Sequence, residues 1–96
     1  MSKKDEYLRK MHSRLDRWSA EIDALAAKAD LAEAETRAGY HKQLEVLRSR
    51  RDDARKRMEH LQQSGEGAWE DLKSGLELAW DAMGEAVDSA KSRFKK

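Results

Sequence analysis

The sequence predicts an all-α protein: a long helix folded back on a shorter second helix, an antiparallel, coiled-coil-like hairpin that assembles as a homo-oligomeric bundle. Three observations carry that reading. The 96 residues contain no proline. Apolar residues recur at alternating steps of three and four along most of the chain, the seam of a helix that buries one narrow stripe against a partner. The one glycine-rich interruption, "SGEG" at residues 64–67, separates two such periodic segments.

Composition sets the scale. The chain is one folding unit at most, with 41% charged, 39% hydrophobic and 6% aromatic residues. Ala, Glu, Lys, Leu and Arg dominate, which is the composition of long helices and coiled coils. A net charge of +1 gives no global field toward nucleic acid or anionic lipid. The absence of cysteine removes disulfide and thiol chemistry. "MSKKDEYLRK" lacks the apolar core of a secretory signal, and no apolar run approaches the ~18 residues of a membrane span. The expectation is a cytoplasmic protein.

The first helix reads as continuous from residue 4 to residue 63. Its seam is Leu8, Met11, Leu15, Trp18, Ile22, Leu25, Ala29, Ala32 and Thr36, then Tyr40, Leu44, Leu47, Arg51, Ala54, Met58 and Leu61. Three consecutive steps of four between Ala32 and Leu44 slip the register by one residue, which relaxes a supercoil without ending the helix. A rod of ~60 residues would be ~90 Å long. An alternative stays open: Asp30 and Glu33 form a variant of the capping box, and a break there would give a three-helix bundle.

Gly65 suits a left-handed C-cap for the first helix. Glu66, Glu70 and Asp71 then place negative charge at the start of the next helix, and Lys91, Arg93, Lys95 and Lys96 place positive charge at its end, as the helix dipole favours. The organisation is therefore residues 1–63 as a long N-terminal helix, 64–67 as a turn and 68–96 as an amphipathic C-terminal helix. Within the long helix, residues 1–35 are an oligomerisation segment and residues 36–63 a hairpin arm.

Trp69, Leu72, Leu76, Ala79, Met83, Ala86 and Ala90 form the seam of the C-terminal helix. Folding it back about Gly65 sets Leu61 against Trp69, Met58 against Leu72, Ala54 against Leu76, Arg51 against Ala79, Leu47 against Met83, Leu44 against Ala86 and Tyr40 against Ala90. The expected hairpin core is thus Leu44, Leu47, Met58, Leu61, Trp69, Leu72, Leu76 and Met83. Residues 42–57 carry a net +4 and residues 66–90 a net −6, so charge also favours laying one arm along the other. Trp80, Val87 and Phe94 widen the apolar stripe on one flank, and the small residues Ala68, Gly75, Ala82 and Ser89 line the other. Such width suits three or more helices.

Residues 4–35 find no partner inside this hairpin. Their stripe of Leu8, Met11, Leu15, Trp18, Ile22 and Leu25 is expected to be an interface between copies, most simply an antiparallel dimer.

Chemistry-bearing motifs are sparse. His12 with Asp16 and His41 with Glu45 stand one turn apart, but the Glu-x-x-His spacing of bundle metal sites does not occur. No catalytic, cofactor or metal site is expected. The stretch Arg48, Arg50, Arg51, Arg55, Lys56 and Arg57 is interrupted by Asp52 and Asp53, which favours pairing within the protein over nucleic acid. The C-terminal helix has an acidic polar face over most of its length, whereas peripheral helices that bind anionic lipid carry a basic one.

The segment "AWEDLKSGLELAWDAMGEAVDSAKSRF", preceded by "LDRWSAEIDALAAKAD", resembles a group of small bacterial coiled-coil proteins, some of them labelled stress-related. The resemblance spans nearly the whole chain. It implies an all-helical coiled-coil fold and an association with stress, and it carries no catalytic or ligand-binding residues. The expected function is a non-enzymatic structural or interaction protein. The alternative is a peripheral membrane or lipid-binding protein.

Overall fold

Alanine-rich and charged heptads with no proline leave the chain little choice but helix. The computed structural model describes residues 2–94, and these form α1 (Lys3–Asp30), α2 (Ala34–Gln63) and α3 (Trp69–Arg93), with no strand among them. The molecule measures 51 × 19 × 18 Å, the length of one ~30-residue helix and the width of a small bundle. Helix α1 packs against both α2 and α3, so the architecture is a three-helix bundle.

The continuous helix expected over residues 4–63 is instead two helices. The chain leaves α1 at Leu31 (φ −87°, ψ −8°) and enters α2 through Glu33 (φ −63°, ψ 154°). The corner forms without the capping-box variant that Asp30 and Glu33 offer in the alternative reading. Asp30 ends α1, and Glu33 is the N-cap of α2 with no side-chain capping bond. The register slip in the seam marks the place. Thr36, nominally a seam residue, is exposed, and Ala32 is half-buried. Arg37 Nη2 donates to the Ala32 carbonyl oxygen at 3.0 Å, and His41 Nε2 stands 3.6 Å from the Asp30 carboxylate.

Energy explains the bend. A straight rod would leave the stripe of α1 in water, and each large side chain it buries is worth ~1.5–3 kcal/mol. Interrupting one helix forgoes a few backbone hydrogen bonds, each worth ~0.5–1.5 kcal/mol net.

The second corner differs from expectation in its torsions. No described glycine has a positive φ. Helix α2 ends at Ser64, which is extended (φ −77°, ψ 156°), and the turn closes when the amides of Ala68 and Trp69 donate to the Gly65 carbonyl oxygen at 3.1 and 3.2 Å. The C-terminal carbonyls of α2 are satisfied from another helix: Lys4 Nζ donates to the carbonyl oxygens of Gln62 (3.1 Å) and Ser64 (2.8 Å). A cation at a helix C-terminus also complements the dipole. At the start of α1, Ser2 Oγ accepts from the Asp5 amide at 3.2 Å, an ordinary N-cap.

The core divides along the long axis. One half holds Leu8, Met11 and Leu15 of α1, Ala54, Met58 and Leu61 of α2, and Trp69, Leu76 and Trp80 of α3. The other holds Ile22, Leu25 and Ala29, then Leu44 and Leu47, then Met83, Val87, Ala90 and Phe94. Trp18 touches both halves. No polar or charged residue is buried among the described residues.

Candidate functional site

The residues singled out as an interface between copies lie in the interior of the single chain. Leu8, Met11, Leu15, Ile22 and Leu25 are buried against α2 and α3, and Trp18 is half-buried with its ring 4.5 Å from that of Trp80. That reading assumed α1 had no partner in its own chain. The corner at Leu31 supplies one.

Of the side chains expected at the α2–α3 contact, Leu44, Leu47, Met58, Leu61, Trp69, Leu76 and Met83 are buried, and Leu72 is half-buried against the first cluster. At the far end Tyr40 packs against the cluster that holds Ala90, with its ring stacked on Phe94 (4.0 Å, 27°). Tyr40 Oη also donates to the Arg93 carbonyl oxygen at 3.2 Å.

Charge complementarity runs through α1. Among the described residues no ion pair joins α2 to α3. Inter-helix pairs include Asp30–His41 at 3.6 Å, between α1 and α2, and Glu21–Lys91 at 2.9 Å, between α1 and α3. Three arginines of the basic stretch pair within their own helix: Arg51 with Asp52 at 3.3 Å, Arg55 with Asp52 at 3.9 Å, and Arg57 with Asp53 at 3.0 Å. The acidic side of α3 instead lines a groove with α1, where Asp81 and Glu85 stand with Arg14 and Arg17 around Trp18, Trp80 and Gly84. Of the small flank of α3, Gly75 meets α2, where the Arg57 side chain reaches it.

Tyr7, Trp69 and Lys73 form a second α1–α3 contact. The two rings are 5.8 Å apart, and Lys73 Nζ lies 5.1 Å from the Tyr7 centroid and 5.9 Å from that of Trp69, a cation–π arrangement. Trp80 Nε1 is buried without a hydrogen-bond partner, and the buried Tyr7 hydroxyl faces the Glu77 carboxylate. Burial first, and the negative charge of Glu77 second, push the Tyr7 phenol up to about 12, with the interaction of the hydroxyl with the Glu77 carboxylate adding to the rise, while Arg14 acts in the opposite direction.

Among the described residues no group of three or more His, Cys, Asp or Glu could hold a metal. His12 and Asp16 share a shallow groove with Arg9 and Gln62, and His41 faces Asp30 rather than Glu45. A concavity of about 970 Å³ is a groove along the outer side of α2 lined by Gly39, Val46, Lys42, Arg50 and Arg93 among others. A second, about 840 Å³, lies at the end of the bundle beside Leu31, Tyr40 and Phe94.

Among the described residues three large apolar side chains remain exposed: Leu31 is 89% exposed, Leu78 70% and Val46 49%. Each stands alone, on the corner, on α3 and on α2. Sequence reasoning missed them because Leu31, Val46 and Leu78 fall outside the heptad seam. That is also the signal that could have found them, since an apolar residue off the seam has no place in the core. No helix among the described residues is long and apolar enough to cross a membrane. Comparison with family models, with curated proteins and with solved structures finds no match.

Proposed function

We propose that this three-helix bundle is a non-enzymatic interaction protein that works by helix-to-helix association, with further copies of itself foremost. One observation carries the reading: the large apolar side chains left outside the core, Val46 and Leu78, sit exposed on the outer faces of helices, with charged side chains near them in sequence. Lys42 and Arg50 flank Val46, and Asp81 and Glu85 follow Leu78 on α3. Such faces suit docking of another helix, with charge setting orientation and rate more than affinity. A stress-associated role is proposed on the resemblance alone.

The alternative, a lipid-binding protein, needs Trp69, Trp80 and Phe94 at the membrane interface, yet all three are buried. That reading therefore requires the bundle to open. The test is lysine cross-linking with mass spectrometry, in solution and in cells, with anionic vesicles as a parallel arm. Cross-links from Lys42 or Lys56 to a second polypeptide, copy or partner, support the proposal. A chain that never cross-links, but binds vesicles with a tryptophan blue shift, replaces it with the lipid reading.

A further inference from the structure

The seam of α1 continues through Ala29, Ala32 and Thr36 to Tyr40 of α2, across a connection of Leu31, Ala32 and Glu33 that contains no glycine, proline, asparagine or serine. Every residue of this corner is compatible with helix. Leu31 already has helical torsions, and Glu33 departs from helix in ψ alone. The polar contacts that clasp the bend, Arg37 to the Ala32 carbonyl and His41 to Asp30, are exposed at the surface, where each is worth ~0–1 kcal/mol. Leu31 stands almost fully in water.

We propose that α1 is an exchangeable arm whose partner is a second copy of this chain. The corner straightens, α1 and α2 join into one helix of ~60 residues, and the α1 of each copy packs on the α2 and α3 of the other. Every α1 contact is remade between copies. Trp18 stacks on the partner's Trp80, Glu21 pairs with the partner's Lys91, and Lys4 caps the end of the partner's α2. The two forms then differ only at the corner and in the entropy of association, so protein concentration sets the balance. The straightened corner gains helical hydrogen bonds, and the two corners meet at the two-fold axis, where Leu31 acquires an apolar neighbour. This inference rests on the association reading above and specifies its route.

Ala34→Pro separates the two forms. Ala34 is the first residue of α2, where proline is favoured, and Glu33 before it already holds the extended torsions a pre-proline residue adopts. In a continuous helix the same proline would clash with the Asp30 carbonyl and delete a hydrogen bond. Both proteins are refolded from denaturant at rising concentration and their masses measured by light scattering. The exchange predicts a species of twice the 11.1 kDa chain mass in the wild type, its loss in Ala34→Pro, and no decrease in the melting temperature of the variant monomer. A second readout uses Lys4→Cys with Gln62→Cys in this otherwise cysteine-free chain: a bismaleimide joins them within one chain in the bent form and between chains in the exchanged form. A wild type that stays monomeric throughout overturns the exchange. An Ala34→Pro protein that dimerises as the wild type does overturns it as well, and leaves association through outer helix faces standing.

Discussion

Arg57 of α2 crosses to α3 and lies against Gly75, so close that a Cβ on Gly75 would stand 3.2 Å from its Nη1. The contact is with the end of a long side chain, which Asp53 holds only from the same helix, at 3.0 Å. Glycine inside a helix costs ~1 kcal/mol relative to alanine. Gly75→Ala is therefore expected to stabilise the bundle by up to ~1 kcal/mol, because the guanidinium yields by a few tenths of an ångström without stressing backbone. Gly84→Ala is the control, since a Cβ there meets nothing within 4 Å. Urea unfolding of both variants checks the pair: Gly84→Ala should gain at least as much as Gly75→Ala. A large loss at Gly75 would mean the helices approach there by backbone rather than through Arg57.

Trp18 and Trp80 hold the middle of the molecule, where Trp18 touches both core clusters. Truncating a buried tryptophan to alanine costs ~3–5 kcal/mol. Trp80→Ala should fall in that range, and Trp18→Ala, half-buried, should cost somewhat less. Both should unfold the single chain at lower denaturant. The sequence alone places Trp18 on an interface between copies. Equilibrium unfolding of Trp18→Ala at several concentrations decides it, since a midpoint independent of concentration identifies an intramolecular role.

These residues show what a linear reading can reach. Heptad spacing identified the buried stripes of α1 and α2 nearly residue by residue, because burial in a helix follows periodicity and periodicity is local; on α3 the flanking line of Trp80, Val87 and Phe94 is buried as fully as the seam. It could not say which stripe faces which. That depended on the corner at Leu31–Glu33, whose residues are all acceptable in a helix, so only the pull of burying the α1 stripe bends the chain there. The register slip before Leu44 was the visible trace, and it fits a supercoil adjustment equally well. Charge misled for a related reason. The summed charges of residues 42–57 and 66–90 oppose each other, yet Asp81 and Glu85 stand beside Arg14 and Arg17 of α1, because the flank of a helix that carries a charge decides its partner.

Tyr7 provides a pH signature. Its phenol, ordinarily at 10.0, is raised to about 12 in the fold. The folded chain holds this proton to higher pH than the unfolded chain, so unfolding releases it between those values. The Tyr7 contribution is fully present below pH 10 and is lost as pH climbs toward 12. Tyr7→Phe keeps the ring against Trp69 and removes the buried hydroxyl that faces Glu77. It should lie within ~1 kcal/mol of the wild type at pH 7, and the difference should move in its favour above pH 10. Parallel denaturation series across that range measure the difference directly, with lysine deprotonation common to both proteins. A constant difference would place the hydroxyl in water.

Lys91 and Glu21 tie the C-terminal end of α3 to α1 through a 2.9 Å bond across 70 residues of sequence. Asp30 and His41 bridge the α1–α2 corner more loosely, at 3.6 Å and with both side chains more exposed than Glu21. Exposed pairs of the first kind contribute ~0.2–1 kcal/mol in double-mutant cycles. The cycle of Glu21→Ala and Lys91→Ala should give a coupling in that range. It should shrink at high salt, where the screening length falls to ~3 Å. The corresponding cycle at Asp30 and His41 should lie near zero. If the order were reversed, the corner would be clasped by its side chains, and straightening it would be correspondingly harder. The two cycles therefore bear on the arm exchange as well as on the stability of the closed bundle.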